Sequence, residues 1–211
     1  MIFELNPKKD KFIDDAYKKA IKEFNDFFGF DWDHGRPQIF IIKDRKMFDQ
    51  VLDTKTEDWV TGGAKEGIIY MLDRKNYEKE SCHKYNPEEY LCTVKHELCH
   101  QFFGVVSKEN DEPLWLNEGL CFYIAGQLKW AEPPKKFKHF LKFYSHTAGE
   151  MYWESGFAVK LLIEKFGKEK ILKLIKGLRT TSNEKQFKQL FKKVYRFNLT
   201  YTEINKLWGK K

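Results

Sequence analysis

Two histidines four positions apart, His96 and His100, constrain this chain more than any other feature. On an α-helix that spacing leaves the two rings about 40° apart around the axis, so both reach one point on one face. The flanking residues supply the helix. Asn86 is a suitable N-cap, Pro87 fits the first helical position, and Glu88 and Glu89 fall in the first turn, where the helix dipole favours negative charge. Tyr90, Leu91, Val94, Leu98, Phe102 and Phe103 then form an apolar stripe at helical spacing, and Gly104 is the expected stop. His96 and His100 therefore ride on a helix packed into the core, which would hold a pair of ligands rigidly.

A zinc ion that does chemistry commonly takes three protein ligands and leaves a fourth position open, and two histidines with one carboxylate form such a set. Glu118 is the best third ligand. It lies eighteen residues past His100 in an apolar segment, residues 114–128, that reads as a second helix after the breaker Pro113. A polar loop around residues 107–112 would turn this helix back on the first. Glu97, one position after His96, stays off the ion and is placed to act as general base and then as proton carrier to a leaving amine. Cys121 is a rival third ligand through its thiolate.

His96-Glu97-Leu98-Cys99-His100 followed by Trp115-Leu116-Asn117-Glu118-Gly119 resembles the gluzincin metallopeptidases, the group with thermolysin-like and aminopeptidase-like catalytic domains. The resemblance implies one zinc per chain on His96, His100 and Glu118, with Glu97 catalytic. A tyrosine opening a later helix would steady the oxyanion, which points to Tyr152, or to Trp153 if the chain is aligned on Gly156. A strand near the zinc helix, residues 68–72 starting at Ile68, would offer its free edge to an extended substrate. Gly63-Ala64-Lys65-Glu66-Gly67 partly resembles the Gly-x-Met-Glu-Asn motif with which aminopeptidases hold a free amine. Gly63 and Glu66 are the candidates there, although Lys65 stands in the Met position and Gly67 in that of the Asn. The likeness extends over about residues 37–208. It implies one α+β catalytic domain over residues 1–211: a small mixed sheet and the zinc helix in an upper lobe to about residue 130, an all-helical lower lobe beyond it, and a cleft between them.

The rest of the chain agrees with one sizeable core, at 211 residues and 42% hydrophobic content. Helices are predicted over residues 11–28, through Phe48, Val51 and Leu52, and over residues 151–166, 168–176, 183–195 and 202–208. A lysine-rich amphipathic segment covers residues 135–144, a buried strand residues 38–42, and a turn-rich connection residues 59–67. No stretch is long and apolar enough to span a membrane, and the first residues lack a basic-then-apolar leader, so a cytoplasmic location is expected. The four cysteines accordingly read as free thiols. Residues 165–211 hold fourteen Lys and Arg against three Glu, a net of +11 within an overall +7. These lysines alternate with apolar residues as solvated helix faces and accompany no nucleic-acid motif, so the expected partner is a peptide or protein substrate. Two other readings fit the motifs: a zinc hydrolase of a non-peptide amide, and a binding module that keeps zinc as a structural element beside a basic C-terminal surface.

Overall fold

In the computed structural model, residues 7, 9–142, 144 and 150–209 are described. Helix α1 (Lys11–Phe28) starts where the Asp10 side chain accepts from the Ile13 amide and ends at Gly29, whose φ of 76° lets its N–H close on the Asn25 carbonyl. Its buried side, with Ile13, Ala20, Ile21, Phe24 and Phe28, meets α4 (Pro87–Ser107), where Phe102 stacks against Phe28. Between these helices lie β1 (Gln38–Ile42), α2 (Arg45–Leu52), β2 (Gly62–Lys65), β3 (Ile68–Leu72) and the single-turn α3 (Tyr77–Glu80).

The three strands form one mixed sheet in the order β1-β3-β2. The β1 and β3 strands run parallel in the register Gln38–Ile68 to Ile42–Leu72, while β2 and β3 form an antiparallel hairpin from Gly62–Met71 to Lys65–Ile68. Two sequence expectations change here. Residues 62–65, read as part of a turn-rich connection, are a strand; two glycines and an alanine carry little strand preference of their own, and pairing with β3 imposes the conformation. The segment 68–72 is the central strand with both edges occupied, so Ile68 cannot offer its backbone to a substrate. The sheet edge beside α4 belongs to β2.

The connection from α2 to β2 has no regular structure yet is tied throughout. The guanidinium of Arg45 donates to the carbonyls of Glu57, Asp58, Val60 and Glu80 and to the Thr56 hydroxyl, which in turn donates to Asp49. Trp59 completes the run, its carbonyl 3.0 Å from His83 Nε2.

After α4 come α5 (Leu114–Ala125), a 3-10 turn (Gln127–Trp130), α6 (Glu150–Phe166), α7 (Lys168–Gly177), α8 (Glu184–Tyr195) and α9 (Tyr201–Trp208). Helix α4 runs three residues past Gly104, because the cap is Lys108 in the left-handed conformation and Gly104 supplies the carbonyl that the capping amide closes on. The α5 helix stops at Gly126 (φ 81°), short of the expected residue 128. The lysine-rich segment 135–144 is not a continuous helix. Its amides at Lys138, His139 and Phe140 are captured instead by the buried carboxylate of Glu154, and only Phe140–Lys142 makes a 3-10 turn. Residue 143 of that segment lies outside the described residues.

Helices α5 and α6 approach so closely that a Cβ on Gly119 would lie 2.5 Å from the Ser155 carbonyl oxygen. Trp115, fully buried next to Glu118's turn, packs edge-on against Phe140 and Phe187 and ties α5 to the C-terminal helices. The whole is a mixed α+β structure, largely helical with one small sheet. Among the described residues no helix is long and apolar enough to cross a membrane.

Candidate metal centre

The predicted cap is present: the Asn86 side chain accepts from the amides of Glu88 and Glu89, at 2.9 and 3.2 Å, with Pro87 in the first turn. Two helical turns on, His96 and His100 project from one face of α4 with their Nε2 atoms 3.0 Å apart. Glu118, on the next helix, brings its Oε2 to 3.2 Å from His96 Nε2 and 3.6 Å from His100 Nε2. One ligand atom from each of the three thus falls within 4.8 Å of the others, as the sequence spacing predicts.

The far side of each ring shows what the near side is for. His96 Nδ1 lies 2.7 Å from Gln127 Oε1, and His100 Nδ1 lies 2.9 Å from Asn117 Oδ1. An amide oxygen only accepts, so each Nδ1 carries the proton and each Nε2 turns a lone pair inward. Two inward lone pairs and a carboxylate oxygen repel one another unless a positive charge sits among them. The donor set, two imidazoles and one carboxylate, fits zinc. In the protein alone a proton takes that role. Burial works to keep His100 neutral, but the Glu118 carboxylate outweighs it and pushes the His100 pKa from its ordinary 6.5 up to about 10. Glu118 is the counterpart: burial would raise its pKa, and the two imidazoles hold it well below the carboxylate range.

Glu97 stands beside the group without joining it. It is buried, and no hydrogen bond from a described residue holds its carboxylate; burial raises its pKa, while the imidazoles of His96 and His100 pull the other way. The edge strand passes directly against it: a Cβ on Gly62 would lie 3.0 Å from Glu97 Cγ and 3.1 Å from its Oε1. Only glycine allows β2 that close.

Tyr152, near the start of α6, lies on the same side. Its ring is 5.7 Å from that of Phe122, which itself stands 4.9 Å from the His96 ring. Burial first, then the charges of Glu118 and Glu97, push its phenol pKa up, so it remains a donor. Trp153, the alternative in that register, packs on the other contact of Phe122 with 38% of its surface exposed. Cys121 does not compete as third ligand: its Sγ faces the Nδ1 side of His100 at 3.5 Å, away from the convergence point, and burial and a side-chain hydrogen bond with Cys99 keep it a thiol. All four cysteines are free.

Glu66 and Gly67 form the two-residue tip of the β2–β3 hairpin, with φ of 53° and 76°, and Glu66 is exposed. Three residues separate it from Gly62, four steps or roughly 13 Å along the strand. Gly63 lies under Leu52 of α2. The strand contact with Glu97 is therefore made by Gly62, a residue the sequence reading passed over.

It also passed over Gln127, Asp111 and Phe122. Asp111 accepts from Asn117 Nδ2 at 3.3 Å and so fixes which end of that amide faces His100. Gln127 reaches His96 because Gly126 turns the chain back, and Lys129 pairs with Glu88 to hold that turn on α4. The glycine after the apolar run was the one available signal. No family model matches the chain.

Proposed function

We propose that this protein is a zinc-dependent metallopeptidase of gluzincin type that cleaves internal peptide bonds in a cleft between the sheet-bearing part and the C-terminal helices. The observation that carries the reading is the convergence of His96 Nε2, His100 Nε2 and Glu118 Oε2 on one point, with both Nδ1 protons committed elsewhere and the buried carboxylate of Glu97 alongside.

Zinc held by His96, His100 and Glu118 would supply Lewis-acid polarisation of the scissile carbonyl and would acidify water. Glu97 takes the proton from the attacking water and later delivers it to the leaving nitrogen; its raised pKa suits both directions of transfer. Tyr152 donates a hydrogen bond to the oxyanion as it develops. The outer edge of β2 binds the substrate backbone as an added strand, with Gly62 leaving room for it beside Glu97. The position of Glu66 at the hairpin tip supports internal cleavage over capture of a free amine. Four free thiols fit a reducing compartment such as the cytoplasm.

The test is mass-spectrometric cleavage of a mixed peptide library, half of it N-acetylated, by zinc-loaded wild type and Glu97→Gln. Internal cuts in blocked peptides by wild type alone are expected. One-residue trimming confined to free N-termini would restore Glu66 as amine anchor. No cleavage with one zinc bound per chain would overturn the peptidase reading in favour of a zinc-stabilised binding module or a hydrolase of another amide.

A further inference from the structure

Among the described residues the large hydrophobic side chains most open to solvent are Met47, Trp59, Val105, Trp130 and Trp153. Two of these end a single run of rings that touches the metal centre. Phe122 lies 4.9 Å from His96 and 4.9 Å from Trp153; Tyr152 lies 5.7 Å from Phe122 and 5.8 Å from Trp59. The run joins three elements distant in sequence: the tied connection before β2, helix α5 and the first turn of α6. We infer that Trp59, Tyr152, Phe122 and Trp153 form a subsite for an aromatic or bulky apolar side chain of the peptide substrate, flanking the bond cleaved, with Trp59 as its selecting residue. The inference rests on the peptidase reading and names the substrate class for it.

Three observations bear on the occupant. First, Trp59 stands three residues before Gly62, the edge-strand residue against Glu97, so a chain paired to β2 at the reacting carboxylate runs past Trp59. Second, the carbonyls of Glu57, Asp58 and Val60 are held by Arg45 and that of Trp59 lies against His83, while the Trp59 side chain stays 45% exposed. Such a backbone presents its indole in a fixed position, and a rigid aromatic surface binds with little ordering cost. Third, Lys129 stands over the face of Trp130 at 4.1 Å, whereas no described cation stands over Trp59 or Trp153. Their faces are open to another ring or to a branched aliphatic group.

The test uses N-acetylated ten-residue peptides identical except at one position flanking the cleavage site, which carries Phe, Leu, Ala, Lys or Glu. With zinc-loaded wild type, kcat/KM for Phe should exceed that for Ala by at least about tenfold. In Trp59→Ala this ratio should fall roughly fivefold to tenfold, and Trp59→Phe should recover most of it. Circular dichroism and melting of each variant establish that it is folded. A flat preference in wild type, or a ratio unchanged in Trp59→Ala, overturns the subsite while leaving the peptidase reading in place. The same Phe and Ala peptides are titrated calorimetrically against zinc-loaded Glu97→Gln, with and without Trp59→Ala, so that the subsite is judged even if no peptide is cut. Tighter binding of the Phe peptide, lost with Trp59→Ala, sustains it; equal binding of both peptides removes it.

Discussion

Replacing Gln127 by alanine removes the acceptor that holds His96 Nδ1 at 2.7 Å. His96 is only 6% exposed, so water replaces that acceptor poorly. An unpaired buried donor costs about 1–3 kcal/mol, which is roughly fivefold to 150-fold in an equilibrium constant. Loss of the partner also frees the ring to turn away from the ion, and outer partners of ligating histidines typically contribute about 10–100-fold to metal affinity. The expectation for Gln127→Ala is therefore zinc binding about 10–100-fold weaker, read by competition with a chromophoric chelator of known affinity. Gln127→Glu keeps an acceptor at the same reach and adds negative charge, so it should bind zinc at least as tightly as wild type. An affinity for Gln127→Ala within twofold of wild type, in a folded protein, would refute the reasoning. So would a Gln127→Glu variant as weak as the alanine one, because the acceptor would then not be what matters.

Gly119→Ala places a Cβ 2.5 Å from a backbone oxygen of α6 that no rotamer change can clear. Overpacking of this kind costs about 2–3 kcal/mol, which lowers Tm by about 5–10 °C in a chain of 211 residues; a change under 2 °C would count against the close helix approach. Gly62→Ala presses instead on side chains, Thr93 Cγ2 at 2.9 Å and Glu97 Cγ at 3.0 Å, and should displace Glu97, the general base of the proposed reaction. Its kcat should drop about tenfold or more with little loss of stability, and an unchanged kcat would detach β2 from the chemistry. The His100 pKa is raised by Glu118 to about 10 and that of Glu118 is lowered from 4.5, so the metal-free ion pair contributes its full stability between pH 4.5 and 6.5, loses it as pH rises through 10, and loses it as pH falls from 4.5 through the depressed pKa of Glu118. On the proposed function, zinc would replace that proton. Binding at pH 8 should release about one proton per chain, measured by titration calorimetry in buffers of different ionisation enthalpy, and no release would refute the assignment of that proton to His100.

The parts of the site legible in sequence are those that local chemistry dictates. Asn86-Pro87 begins a helix wherever it is placed, His96 and His100 share a face on any helix, and Pro113 with the apolar run behind it returns Glu118 to them. The same holds for α1, bounded by Asp10 and Gly29. What escaped depends on neighbours distant in the chain. Residues 62–65 become a strand only because β3 pairs with them and Gly62 fits under Glu97; their own side chains predict a turn. Gln127 finds His96 thirty-one positions away through a 3-10 turn, and nothing in its immediate surroundings marks it as more than a polar residue. The lysines of residues 135–144 have the spacing of an amphipathic helix, but Glu154 claims the amides that a helix start would leave open.

Arg45 touches neither the metal centre nor the aromatic run, and yet the position of Trp59 depends on it. One guanidinium does for residues 56–60 much of what a sheet or helix ladder does elsewhere, alongside the ties of Thr56 to Asp49 and of Trp59 to His83. A lysine in its place keeps the charge and loses the fork, and cannot serve four carbonyls at once. In a random mutational screen scored by substrate selection, Arg45 would rank with the binding residues. In one scored by melting temperature it would register as well, because its loss leaves the carbonyls of Glu57, Asp58, Val60 and Glu80 without their donor. A residue that registers in both screens without touching substrate marks where the fold sets recognition at a distance.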